Sequence, residues 1–348
     1  MSLFTVLFWI LVVPVTIVLG LVASWIVRKV SALVQWRVGP PLFQPAYDVM
    51  KLMGKEILVP EQANRSVFMM APLVGLVGVL LLSLILWNAL AAQKAFVGDV
   101  IVAIYLMVLP SLALILGGSS SASPHASIGT AREMKLVMGY ELPLVLAFIV
   151  VLIKTGGQLS LVDISQQAPV LSISGMLAFI AALLCVQAKL GFVPFDIAEA
   201  ETELGSGILM EYSGALLALW KMMQAVMLVT LPFFLMILFL GGYGTNHLTG
   251  AGAIAALVLL GLFVTGRYMS GRSKLMDVVA LLSFIGVCIL AGLGKYVLIL
   301  VLLILIKNTN PRLRIDQAMK FFWGLCTIIL IAAIILASLG NYYDIGWL

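Results

Sequence analysis

The sequence predicts an all-α membrane protein, a polytopic transmembrane helical bundle of eight or ten spans with a cytoplasmic amphipathic helix, built as one integral domain over residues 1–348. Three observations predict it. Hydrophobic residues make up 63% of the chain and charged residues only 10%. The apolar residues fall in runs of membrane-spanning length, about 20 residues for a helix. Basic residues collect in alternate connections between those runs, the bias that orients inserted helices. A β-barrel would show short alternating segments instead.

The same composition excludes several functions. The net charge of +5 is spread over several loops and fits orientation and lipid contact, not nucleic acid. The three cysteines, Cys185, Cys288 and Cys326, lie far apart in apolar runs. Without a C-x-x-C pair, a four-cysteine iron–sulfur site is excluded within this chain, and a disulfide framework is not expected. His125 and His247 lie in separate loops without metal-ligand spacing. The apolar N-terminus lacks a basic leader and a small-residue cleavage site, so it reads as a retained span.

The first span covers about Leu3–Val27 and ends at Arg28-Lys29. The basic excess of residues 28–66 places that segment in the cytoplasm and Met1 outside. Within it, Gly39-Pro40-Pro41 forms a rigid turn, and AYDVMKLMGKE reads as a short amphipathic helix lying in the interface. The second and third spans cover Phe68–Leu90 and Val100–Leu116, and GGSSSASPHASIGT returns as a small-residue loop. Arg132, Glu133 and Lys135 lead into the fourth span, which holds Glu141 in its opening turns. Glu133 and Glu141, eight residues apart, lie near one helix face. The fifth span is Leu171–Ala188, and the sixth, Ile208–Leu240, contains Glu211 and Lys221, with Pro232 as a kink point. Ala251–Val264 is apolar, and Arg267, Arg272 and Lys274 mark a turn. Val278–Ile306 is too long for one comfortable span, and Gly292–Lys295 is a candidate break. The last span is Phe322–Leu339.

The most informative stretch is KLGFVPFDIAEAETELGSGILM, which sets Asp196, Glu199, Glu201 and Glu203 within eight residues between two membrane-length runs. Such a cluster faces water or lines a polar cavity within a bundle. If helical, the stretch puts Asp196, Glu199 and Glu203 on one face, where like charges need cations, protons or partners.

Four stretches together resemble subunit 1 of respiratory complex I, in that family's order. They are RKVSALVQWRVGPPLFQPAYDVMKLMGKE, AREMKLVMGYELPL, GFVPFDIAEAETELGSGILMEYSG and NTNPRLRIDQAMKFFW. The VGPPLF turn and Val27 before Arg28, where the complex I pattern usually has Glu, depart from the quinone-linked pattern, and the compact Gly-Pro-Pro turn looks most like the homologous membrane subunit of energy-converting (group 4) [NiFe] hydrogenases and related ferredoxin-linked complexes. The resemblance implies a membrane anchor and coupling subunit in the inner membrane, with no cofactor of its own. It also implies partners: a soluble hydrogenase-like large subunit and an iron–sulfur small subunit, which carry iron–sulfur clusters and a NiFe centre, and antiporter-like membrane subunits. Glu141, Asp196, Glu199, Glu201, Glu203, Glu211 and Lys221 are the expected coupling or proton path. Arg37, Asp48, Arg132, Glu133, Arg312, Arg314 and Asp316 are expected to form ion pairs or docking contacts, and loops 28–66, 191–205 and 307–320 are the expected cytoplasmic docking loops. A quinone-site subunit of a complex I-like dehydrogenase is the alternative. A free-standing transporter is disfavoured, because no broken-helix repeat is visible.

Overall fold

The computed structural model describes residues 3–91, 98–200, 203, 205, 207–242, 276–343 and 345–347. Glu201, His247 and residues 243–275 lie outside the described residues, and with them all but the first two residues of segment 241–274, which the sequence offers as an added hairpin. The fold is all-helical. Helix α1 is Leu3–Val34, α2 is Gln44–Met53, α3 is Arg65–Ala91, α4 is Asp99–Ser120 and α5 is Pro124–Lys154. A short α6, Leu161–Ser165, precedes α7, Ile173–Lys189. Next come α8, Gly214–Phe239, and α9, Met276–Thr309; α10 runs Ile315–Tyr342 with a π-helical turn at Phe321–Cys326.

Among the described residues, seven helices are long and apolar enough to cross a membrane, and α7 is a shorter apolar helix of 17 residues. The bundle is organised around α8, whose residues from Ala225 to Phe239 are all buried. Helices α1, α3 and α7 pack against it. A helix apolar on every side is what a membrane bundle places at its centre. Close approach explains a small residue on α1: a Cβ at Gly20 would sit 2.8 Å from the backbone of Ala225.

Several boundaries differ from the sequence expectations. The small-residue stretch 117–130 is mostly helical, because α4 continues to Ser120 and α5 begins at Pro124. Proline suits that first helical position, where its missing N–H has no intrahelical partner to lose. Gly292–Lys295 does not interrupt α9. The sixth span begins only at Gly214, so Glu211 stands in the turn before it rather than inside the helix. Gly214 adopts φ +57°, and a Cβ there would meet the Glu56 carbonyl oxygen at 2.4 Å, so the chain turns sharply against segment 55–56.

The two ends of the bundle are held differently. At one end, the Asp99 carboxylate accepts from the Leu161 N–H at 2.9 Å. There too, buried Lys295 donates to the carbonyls of Leu240, Gly241 and Gly242 at 2.9, 2.7 and 3.2 Å, where α8 runs out of intrahelical donors. The other end gathers ion pairs and a cavity.

Candidate functional site

The acidic stretch is not a helix over 191–200, so its carboxylates do not share a helix face. It is an irregular loop stitched to its neighbours. The Gln187 amide donates to the Val193 carbonyl at 2.7 Å, and the Leu313 N–H donates to the Pro194 carbonyl at 3.0 Å. Positive φ at Gly207 lets its backbone pass under Ala198, where a Cβ would lie 2.2 Å from the carbonyl oxygen. The loop therefore sends its acidic groups in different directions. Asp196 pairs with Arg312 at 2.9 Å, tying the loop to the connection before α10. Glu203 pairs with Arg132 of α5 at 2.6 Å, and that guanidinium holds its carboxyl below the usual carboxylate range. Glu199 turns inward and accepts from the Gln224 amide at 3.2 Å, and Lys221 donates to the same Gln224 at 3.3 Å.

Beneath the loop lies a cavity of about 680 Å³. Its walls come from α1, α2, α8 and the loop, with apolar contributions from Leu21, Val27, Val49, Phe192 and Leu228. Its polar lining includes Arg28, Asp48, Glu133, Lys189, Glu199 and Lys221. Arg28 and Asp48 pair at 2.7 Å, joining α1 to α2, and the arginine beside it lowers the Asp48 carboxyl from its ordinary value.

Deeper in the wall, α5 and α7 meet. Lys189, whose side chain is 0% exposed, forms an ion pair with Glu141. Its ammonium also lies 5.0 Å from the centre of the Tyr140 ring, a favourable cation–π position. The Tyr140 and Ser111 hydroxyls are 3.0 Å apart, and Ser111 also hydrogen-bonds Glu133. Glu133 is buried and lies in the electrostatic reach of both Glu199 and Lys189. The expectation that Glu133 is a surface docking group is thus corrected: α5 begins nine residues earlier, at Pro124, and its helical turn points Glu133 inward. The cation beside Glu141 is Lys189. The Tyr212 hydroxyl donates to the Phe68 carbonyl at 3.2 Å, and the Tyr140 hydroxyl bonds that of Ser111.

Other expected site residues stand apart. Arg37, Arg314 and Asp316 are exposed, and no ion pair among the described residues includes them. Glu211 is half-buried and is likewise outside those pairs. Lys189, Gln224 and Ser111 were not singled out by sequence reasoning. A lysine closing an apolar run ordinarily reads as a headgroup anchor, and only the α5–α7 packing reveals its partner. Among the described residues, no group of three or more His, Cys, Asp or Glu side chains could hold a metal ion.

The site is a chain of charged groups running from an irregular loop into a helix bundle. A family model described as NADH dehydrogenase matches residues 6–338, and the chain belongs to this family of complex I-like and hydrogenase-type membrane subunits. It is 30% identical to NADH-ubiquinone oxidoreductase chain 1 of Mycosarcoma maydis, over 97% of this chain and 96% of that protein. It is also similar to a chain of the membrane-bound sulfane sulfur reductase (MBS), an archaeal respiratory membrane complex. That match has a TM-score of 0.75 at 25% identity and covers 95% of this chain and 98% of the other. The chain is a multi-pass membrane subunit of a redox complex, carrying buried charged residues.

Proposed function

We propose that the chain anchors a multisubunit, ferredoxin-linked [NiFe] hydrogenase-type complex in the inner membrane and couples its redox reaction to ion movement. Reduction and oxidation occur in soluble partner subunits, a large subunit and an iron–sulfur subunit. The charge change is then handed inward through carboxylates to antiporter-like membrane subunits. The observation that carries this reading is the run of charged groups from the loop surface to the bundle interior: Glu203 with Arg132, Asp196 with Arg312, Glu199 with Gln224 and Lys221, then Glu133, Lys189 and Glu141. Ionisable groups within a membrane bundle are costly unless paired or hydrated, so a connected set of them supports a transport role. Docking of a soluble partner is supported by large apolar side chains exposed outside any span at the same end. Trp36 is 98% exposed at φ 58°, with Val38, Phe43 and Leu58 also exposed around α2.

The test replaces carboxylates by amides, which keep size and most hydrogen bonding but do not titrate. Glu141→Gln and Glu211→Gln complexes are reconstituted in vesicles, and the ion gradient is measured beside the redox rate. The reading expects fewer ions moved per electron, with redox chemistry continuing or falling in step. Complexes that assemble and match the parent in both quantities would make these glutamates structural. The similarity to a NADH-ubiquinone oxidoreductase chain, together with the apolar wall of the cavity, favours a second reading in which the cavity takes a quinone. Quinone-dependent electron transfer by the intact complex, blocked when Phe192 or Val49 is enlarged, would select it.

A further inference from the structure

We infer that the cavity beneath the loop binds an anionic amphiphile, with one acyl chain lying between α1 and α8 and its phosphate or carboxylate head held by Lys51 and Lys55 at the rim. The inference goes beyond the coupling reading and names a different occupant from the neutral quinone of the second reading. The cavity is lined by six cationic side chains, Arg28, Lys51, Lys55, Lys189, Lys221 and Lys307, against four carboxylates, Asp48, Glu133, Asp196 and Glu199. Most of these charges are engaged within the protein. Arg28 pairs with Asp48, Lys189 with Glu141, and Asp196 with Arg312. Lys221 reaches Glu199 through Gln224, and the Lys307 ammonium lies 4.3 Å from the centre of the Phe192 ring. Lys51 and Lys55 differ. Both are exposed, one in the last turn of α2 and the other just past it, and among the described residues neither forms an ion pair. Lys51 acts on Asp48 through space, but Arg28 already holds that carboxylate.

The depth profile of the cavity fits a molecule with one charged end. On α1, Arg28 and Leu21 both line it, seven residues and about 10 Å apart along the helix axis. On α8, Lys221 and Leu228 have the same separation. In each helix the charged residue is the one nearer the loop end, so these two walls are charged at the mouth and apolar below. An acyl chain laid against Leu21 and Leu228 gains with every methylene it buries. The head cannot follow it inward, because buried Glu133 and the loop's Glu199 repel an anion. It is therefore confined to the α2 rim, where each ammonium attracts a phosphate or carboxylate and does little for an uncharged quinone ring. The volume of about 680 Å³ falls within the range of about 300–1,000 Å³ that encloses a small ligand. It takes one chain, and the second chain of a diacyl lipid stays outside.

The experiment uses the whole complex in phosphatidylcholine vesicles doped with a photoreactive probe, and crosslinked residues are mapped by peptide mass spectrometry. Three probes carry the same diazirine acyl chain: a phosphatidylglycerol, a free fatty acid and a phosphatidylcholine. The anionic probes are expected to label Leu21 and Leu228, and the zwitterionic one to label them at least about fivefold less. Labelling by the phosphatidylglycerol identifies a lipid headgroup as the source of the anion, and labelling by the fatty acid alone identifies a free carboxylate; either supports the site. Lys51→Gln and Lys55→Gln change exposed, unpaired side chains and leave the bundle intact. Each should lower the labelling about fivefold, and Lys51→Arg should restore it. Equal labelling by the phosphatidylcholine, parent-like labelling in the Lys51→Gln/Lys55→Gln double variant, or crosslinks confined to outward-facing residues such as Val15 and Val18 would each overturn the inference. So would a photoreactive quinone that labels Leu21 and Leu228 where the anionic probes do not. None of these outcomes bears on the coupling reading, which stands or falls on ions moved per electron.

Discussion

At the residue scale, the ion pairs of the loop end have a defined pH dependence. Arg132 depresses the carboxyl of Glu203, and Arg28 depresses that of Asp48. A group whose value is lower in the folded protein contributes stability above its unfolded value, about 3.9 for Asp and 4.3 for Glu, and loses it as pH falls through the lowered value. Acidification below about pH 4 should therefore free the 203 turn from α5 and α2 from α1. Hydrogen exchange should show faster opening of residues 44–53 there, and no change between pH 6 and 8. The energy is small for the largely exposed Arg28–Asp48 pair, under about 1 kcal/mol, so opening should be local and should not unfold the bundle. The carboxylates Asp196, Glu199 and Glu203 are legible in the sequence because they interrupt apolar runs. Their partners are not, since Arg312 is 116 residues from Asp196 and only the fold brings them together. Glu133 is misread for a different reason. Its neighbours Arg132 and Lys135 make the segment look like a polar loop, and only the helix starting at Pro124 turns one residue of the three inward.

At the element scale, α8 is held at both ends and the restraints are separable. Lys295 satisfies all the donors of its ammonium on the carbonyls of the turn that follows α8. Lys295→Met should cost about 1.5–3 kcal/mol, the range for hydrogen bonds to a charged group. Thermal denaturation of the purified complex should register it as a lower midpoint, and a parent-like midpoint would show that the cradle is idle. At the other end, Gly214→Ala forces a left-handed backbone on a residue with a Cβ and drives that atom into the Glu56 carbonyl. It should detach segment 55–56 from the start of α8, seen as new protease sensitivity near Lys55. Along the middle, Gly20→Val meets the Ala225 backbone and should separate α1 from α8, at a cost of about 1–3 kcal/mol. The spans themselves are the most legible feature of the sequence, because long apolar runs have one solution in a bilayer. Their ends are not, since helix continues through Ser120 and through Gly292–Lys295 wherever neighbouring helices satisfy the backbone.

At the scale of the whole molecule, the bundle has an ion-paired end and a backbone-capped end. The proposed orientation puts the first in the cytoplasm with soluble partners. Single cysteines at Lys51 and Gln158 should then be labelled from opposite sides of the membrane, and labelling from one side would overturn that arrangement. The central claim is that charge reaches the interior through carboxylates on the cavity wall. Glu133 tests it most directly, because it is buried, lines the cavity and lies within the electrostatic reach of both Glu199 and Lys189. The measurement is ions moved per electron in vesicles containing the Glu133→Gln complex. The account predicts a complex that assembles, still turns over its redox substrate, and moves at least about fivefold fewer ions per electron. An assembled Glu133→Gln complex with the parent's stoichiometry would contradict it.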